Sequence, residues 1–179
     1  MSPAQVRRRL HNLMQGALAK TKRGQVFLEI FAGAGGVSEA WSAEHAFGVV
    51  RLDILFDPAH DLTRQVAMQT VLGWIASGLI RAMWLAPPCS TWSSAARILC
   101  AGKWTRYRTR EFIHGGPWLE ARHLVRVGIG NRLCNASARL VQAALRANVP
   151  TALENHMAVC FDMTLESQRF SVTVFVALP

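Results

Sequence analysis

The chain has 179 residues, 51% of them hydrophobic and 17% charged. That size and balance suit one domain with a real core and exclude intrinsic disorder. Lys and Arg number 20 against 11 Asp and Glu, a formal net charge of +9, which points to an anionic partner. No apolar run approaches the roughly 18 residues of a membrane span, so no membrane is expected as a partner. The N-terminus also lacks the apolar core of a secretory signal.

Residues 1–24 hold six basic residues (Arg7, Arg8, Arg9, Lys20, Lys22, Arg23) and no acid. Ser2-Pro3 suits a helix start, because proline fits the first turn. Val6, Leu10, Leu13, Met14, Ala17 and Leu18 then recur at helical spacing. The segment reads as a basic amphipathic helix, set apart from a unit spanning 25–179. Packing on the core, a nucleic-acid contact and an organellar transit segment all fit it.

Val26 to Phe31 is an apolar run that reads as a buried strand, leading into Ala32-Gly33-Ala34-Gly35-Gly36. A helical spacing starts at Val37, Ala40 and Trp41. Phe47 to Ile54 is a second strand carrying Asp53. Asp61-Leu62-Thr63 marks a third, very short extended piece. Val66 to Ile80 has helical periodicity, and Ala82 to Ala86 is a strand halted by Pro87-Pro88. The pattern breaks from Ser93 to Gly130 into a polar, basic stretch. A helix runs from about Asn131 to Ala147, then a strand at Thr151-Ala152-Leu153 ends on Glu154-Asn155. Phe170 to Leu178 alternates as a last strand. Strands alternating with helices predict an α/β fold with a mostly parallel sheet.

The four cysteines are Cys89, Cys100, Cys134 and Cys160, with no C-x-x-C pair. Neither a zinc site nor a disulfide scaffold is suggested, and no metal is expected. His114 and His123 show no metal-ligand spacing. Free thiols in a reducing compartment are the default, which places the chain inside the cell, in nucleus or cytoplasm, with organelle import left open.

Ligands of open α/β sheets bind outside the carboxyl ends of the strands. Four such ends carry Gly33/Gly35/Gly36, Asp53, the Pro87-Pro88-Cys89 turn and Glu154-Asn155. A G-x-G-G turn lets a ligand approach the backbone. An acid at the next strand end can accept from ribose hydroxyls, so together they point to a nucleoside-containing cofactor. The spacing departs from G-x-G-x-x-G, which argues against a dinucleotide oxidoreductase. Cys89, held by two prolines, is a candidate nucleophile, and Glu154 is an acid that could hold a base edge.

Phe31-Ala32-Gly33-Ala34-Gly35-Gly36, followed by Ser38, resembles the first motif of DNA cytosine-5 methyltransferases. Pro87-Pro88-Cys89-Ser90-Thr91-Trp92-Ser93 resembles their catalytic Pro-Cys motif, with Ser-Thr in place of the commoner Gln-containing version. Glu154-Asn155 resembles their Glu-Asn motif, and order and strand placement agree over roughly Val26 to Asn155. The resemblance implies a Rossmann-like, class I methyltransferase fold with helices on both faces. It implies S-adenosylmethionine as cofactor, held by Phe31, Ala32, Gly33, Gly35, Gly36, Asp53, Asp61 and Pro87. It further implies Cys89 and Glu154 as catalytic residues, with Ser90 and Asn155 on the base. The substrate would be cytosine in nucleic acid, DNA in preference to RNA, taken from a single strand or flipped out of a duplex. An amino-methyltransferase of the same fold would carry an aromatic residue where Cys89 stands.

His156 departs from the family's hydrophobic residue or proline, and the interval from Cys89 to Glu154 is wider than the family's. No counterpart of the target-recognition region or the last motif is seen after Asn155, and the solitary Gln168-Arg169 is no substitute. The fold is therefore expected to be incomplete at its C-terminal end, with a partner chain one source of the missing parts. The wide interval holds a basic insertion at about 93–130, with seven basic residues against Glu111 and Glu120. Trp104, Tyr107 and Trp118 are interleaved with them. Arg106, Arg108 and Arg110 are the candidate substrate-binding residues there. The alternative function is a methyltransferase-like module that binds cofactor or nucleic acid without turnover.

Overall fold

The first strand, β1 (Val26–Ile30), is buried at every position, which suits the centre of a parallel sheet covered on both faces. The computed structural model describes residues 1–44, 47–88, 90–92, 96–154 and 173–175. In chain order the elements are α1 (Pro3–Leu18), β1, α2 (Gly36–Glu44), β2 (Gly48–Leu52), a one-turn helix at Pro58–His60 and α3 (Gln65–Ala76). They continue with β3 (Ile80–Leu85), β4 (Arg97–Cys100), β5 (Lys103–Arg106), α4 (Ala121–Arg146), β6 (Thr151–Glu154) and β7 (Thr173–Phe175).

The main sheet has the order β2-β1-β3-β6-β7, and every neighbouring pair is parallel. The protein is thus α/β with a parallel sheet, as its sequence pattern predicts. From β1 the chain builds outward to β2 on one side. It then crosses back and builds β3, β6 and β7 on the other. The reversal falls between the carboxyl ends of β1 and β3, the place in an α/β sheet where ligands bind.

Alternation along each strand assigns the helices to faces. Leu28, Ile30, Val50, Met83, Leu85 and Leu153 share one core with α1 (Val6, Leu10, Met14), α3 (Val71, Ile75) and α4 (Leu140, Val141). The opposite face of β1 meets α2. Trp41 stacks on Phe27 with ring centroids 4.4 Å apart, and the Ser38 N–H donates to the buried Glu29 side chain at 3.0 Å. Both faces carry helices, three against one among the described residues.

Helix α1 is a full member of this core rather than a separate unit. Ser2 and Gln5 form a reciprocal capping box, Pro3 occupies the first turn, and Val6, Leu10, Met14 and Ala17 are buried. A Cβ on Gly48 would lie 2.1 Å from the Ala17 carbonyl oxygen, so glycine alone lets the helix end approach β2. Arg9 points outward and grips both carboxylate oxygens of Asp57 at 2.9 Å.

Three local expectations are corrected. Asp61-Leu62-Thr63 is a turn, not a strand: the Asp61 Oδ1 accepts from the Thr63 N–H at 3.0 Å and its hydroxyl at 2.6 Å. Helix α4 begins at Ala121 rather than Asn131, because Gly128 and Gly130 hide a helix that tertiary packing supports. The 93–130 stretch is therefore a β4–β5 hairpin, a loop and the first turns of α4. The hairpin turn is Ala101-Gly102, both with positive φ (49° and 77°), the geometry that matches strand twist. The cysteines divide: Cys100 is a free buried thiol, whereas Cys134 is disulfide-bonded, against the expectation of free thiols throughout. No helix among the described residues is long and apolar enough to cross a membrane.

If α1 belongs to the core, Leu10→Ala should lower unfolding stability by about 2–5 kcal/mol. Arg8→Ala, on an exposed position, should change it by less than about 0.5 kcal/mol. Urea denaturation followed by circular dichroism measures both.

Candidate functional site

Three chain reversals at the carboxyl ends of β1, β2 and β3 are hydrogen-bonded to one another. Phe31, directly after β1, has φ 60° although it is not glycine. Such strain costs about 1–3 kcal/mol and concentrates at functional sites. The β2 end holds it in place: the N–H groups of Phe31 and Ala32 both donate to the Leu52 carbonyl, at 2.8 and 3.2 Å. Gly33 and Gly35 also have positive φ, 50° and 79°. A Cβ on Gly33 would stand in open space, whereas one on Gly35 would meet the Arg51 guanidinium at 2.7 Å. The loop thus offers an open backbone cradle at Gly33, and the positive φ at Gly35 favours glycine there. Gly36 opens α2.

Asp53 anchors this cradle. Its Oδ2 accepts the Gly33 N–H at 2.9 Å and its Oδ1 accepts the Leu55 N–H at 2.8 Å. Each oxygen keeps a second lone pair for another donor. His60 Nδ1 lies 3.0 Å from the Asp53 carbonyl oxygen. Burial holds the His60 imidazole below its ordinary pKa. Beneath the loop, Glu29 is 3% exposed and accepts from Ser38, near the start of α2. A helix N-terminus favours an acid there. Asp61 sits beyond the one-turn helix with its Oδ1 engaged by Thr63.

The Ala86 N–H donates to the Ile30 carbonyl at 3.0 Å, so the Pro87-Pro88 turn starts beside the glycine loop, with Pro87 buried. Glu154 is the exposed last residue of β6, and the residue before it, Leu153, pairs with Leu85. Glu154 and the Pro-Pro turn therefore occupy adjacent strand ends. Cys89 and Asn155 lie outside the described residues.

Past the turn, Ser90 is exposed while Thr91 is buried, and Arg108 explains the difference. Its Nε donates to the Thr91 carbonyl at 3.0 Å and its Nη2 to the Thr91 hydroxyl at 3.0 Å. The same guanidinium reaches the Ile113 carbonyl at 2.6 Å, the Asn131 Oδ1 at 2.7 Å and the Val127 carbonyl at 3.2 Å. It also lies 3.6 Å over the Trp92 ring, a cation–π contact. Burial lowers its pKa to about 10, which leaves it charged at neutral pH. Arg108 is thus a clamp on the segment after Cys89, with its donors committed to this chain rather than offered to a phosphate. Arg106 and Arg110 are exposed. Gly130 lets α4 approach the clamp, since a Cβ there would lie 2.6 Å from the Thr91 hydroxyl.

A cleft of about 630 Å³ runs along the outer side of β2, lined by Lys20, Ser42, Phe47, Arg51, Phe56 and His60 among others. It adjoins the glycine loop through Arg51. Its residues come from α1, α2, β2 and the turn after β2, and nothing in their sequence spacing groups them. Glu29 was legible as an acid inside an apolar strand run.

No family model, no curated protein and no solved structure matches this chain.

Arg108→Lys keeps the charge but loses the planar fork. It should lower stability by about 1–3 kcal/mol, whereas Arg106→Ala and Arg110→Ala should change it by less than about 0.5 kcal/mol; urea midpoints report all three. His60 gives a pH test. Its folded pKa is depressed, so its contribution is complete above the unfolded value of about 6.5 and is lost as pH falls below it. NMR titration should place the His60 midpoint in the folded chain below the model-peptide value of about 6.5; a midpoint above it would contradict the burial.

Proposed function

We propose that this chain transfers a methyl group from S-adenosylmethionine to C5 of cytosine in nucleic acid, with DNA the preferred polymer. The observation that carries the reading is the Gly33–Asp53 hydrogen bond, at 2.9 Å, beside the reversal of strand order. It joins a glycine cradle to a strand-end acid, the pair that a nucleoside cofactor uses. Phe31, Ala32, Gly33, Gly35, Gly36, Asp53, Asp61 and Pro87 would hold the cofactor, and the open space in front of Gly33 fits that role. The buried acid Glu29 under the loop suits a cationic ligand and opposes a diphosphate. When bound, the cofactor supplies an electrophilic methyl group on a positively charged sulfur.

In the proposed reaction Cys89, in its reduced form, adds as a thiolate to C6 of the base and the C5–C6 π electrons shift to C5. Glu154 donates a proton to N3, while Ser90 and Asn155 hold the base edge. After C5 has gained its methyl group, the C5 proton leaves to a base. Its electron pair restores the C5–C6 double bond, the Cys89–C6 bond breaks, and Glu154 takes back the N3 proton. Arg108 supports this scheme by tethering Thr91 and Trp92, two and three residues after Cys89. Arg97, Lys103, Arg106 and Arg110 supply exposed positive charge, and Trp104, 69% exposed on the same hairpin, offers a face on which a base can stack.

A second reading is a module that binds without turnover. Its nucleic-acid-binding form is favoured by the engagement of both Asp53 oxygens with backbone N–H groups, which compete with a ribose for them. An oligonucleotide carrying 5-fluorocytosine separates the two, because fluorine at C5 cannot leave as a proton and the covalent adduct persists. With S-adenosylmethionine present, an adduct that Cys89→Ser abolishes supports the enzyme. Cofactor binding without an adduct on any DNA or RNA supports the module. Asp53→Ala should weaken cofactor binding by about tenfold or more, read by calorimetry, the loss of roughly one hydrogen bond to a charged group; no cofactor binding by the unaltered chain would overturn the enzyme and the cofactor-binding module alike, leaving only a module that binds nucleic acid.

A further inference from the structure

Cys100 ends β4, and Glu120 and His123 bracket the start of α4. The structure brings them together, with one sulfur, nitrogen or oxygen atom from each lying within 4.8 Å of the others. The Cys100 Sγ is 3.3 Å from the His123 Nδ1. We propose that Cys100, Glu120 and His123 bind a zinc ion, with the fourth position left to solvent.

The geometry is close to what the ion requires. Zn–S of about 2.3 Å and Zn–N of about 2.0 Å at a tetrahedral angle place the two ligand atoms about 3.5 Å apart. Cys100 and His123 are 5% and 7% exposed, and burial of that depth suits ligation better than attack on a bulky substrate. His123 stands edge-on to the Tyr107 ring, with centroids 5.8 Å apart, and that packing limits its rotation. Glu120 is exposed and free to swing inward, exchanging its 2.9 Å contact with Arg122 for the ion. Thiolate, imidazole and carboxylate form a ligand set suited to zinc. The two anionic ligands neutralise a divalent cation, which matters in a segment already rich in arginine. Binding releases the Cys100 thiol proton.

The site also answers a structural need. Ile98, Cys100, Tyr107, Leu119 and Val127 form a small second core under the hairpin, separate from the main one. A core of that size rarely holds a segment by itself, and a metal is one of the common staples. The ion would lock the hairpin to the first turn of α4. Further along that helix, Val127 and Asn131 accept from Arg108. This inference stands independently of the proposed methyl transfer.

Cobalt(II), followed by absorption, is the probe, with zinc as competitor. The full chain should take up one Co²⁺ with a thiolate-to-cobalt charge-transfer band that Zn²⁺ abolishes. Zn²⁺ should raise its melting temperature. Cys100→Ser should remove both the band and the zinc-dependent shift, and His114→Ala, in the neighbouring loop, should keep both. Glu120→Ala alters an exposed side chain and keeps the test valid if the buried variants fail to fold; it should weaken Co²⁺ binding on the order of tenfold, as loss of one ligand from the set implies. A folded chain without the band, a band that survives Cys100→Ser, or unchanged affinity in Glu120→Ala would overturn the site.

Discussion

The Asp53 side chain receives one N–H from the loop after β1 and one from the turn after β2, and the geometry of the candidate site depends on that double acceptance. Strand pairing alone aligns β1 and β2 up to Ile30 and Leu52. Beyond those residues the backbone has no ladder to follow, and its polar groups need other partners. Asp53 and the Leu52 carbonyl supply them. The strained Phe31 backbone and the positive φ of Gly33 are thereby held open rather than collapsed onto the sheet.

The same economy of partners appears at the edge of the sheet. Among the described residues β2 has no strand on its outer side, and an uncovered edge invites unwanted pairing. Helix α1 reaches that edge through Gly48, whose missing Cβ allows the Ala17 carbonyl to approach. The N-terminal arginines face outward as a consequence of burying Val6, Leu10 and Met14. Their charge and the apolar stripe are two faces of one packing requirement, and neither demands a nucleic-acid role for α1.

The segment between β3 and β6 follows different physics. Its hydrophobic cluster is small, so polar contacts carry much of its organisation. Arg108 alone gathers Thr91, Ile113, Val127 and Asn131. Satisfying so many backbone carbonyls with one guanidinium stiffens the loop next to the Pro-Pro turn, because truncation would leave several buried acceptors without donors. The proposed zinc ligands sit at the other end of the same small cluster. The loop clamp turns an irregular basic stretch into a shaped surface bearing Trp104 and the exposed arginines, and the proposed metal would reinforce it.

How much of this was legible in the sequence follows from the range of the interactions. The α/β alternation, the glycine loop and Asp53 were readable because period, strand ends and φ preferences are local properties. The start of α4 was hidden by Gly128 and Gly130, whose low propensity is outweighed where Gly130 packs against Thr91 and Arg108. The hairpin was hidden by an Ala-Gly turn that carries little sequence signal. Arg108 read as a substrate-binding residue like Arg106 and Arg110 until its partners, 5 to 23 residues away, were placed around it. Cys100 and His123, 23 residues apart, show no ligand spacing, since a strand end and a helix start meet only after the hairpin folds. Sequence by itself determined which residues turn, alternate and carry charge. The tertiary structure decided which charges face water and which satisfy the backbone, because that choice depends on acceptors contributed by distant elements.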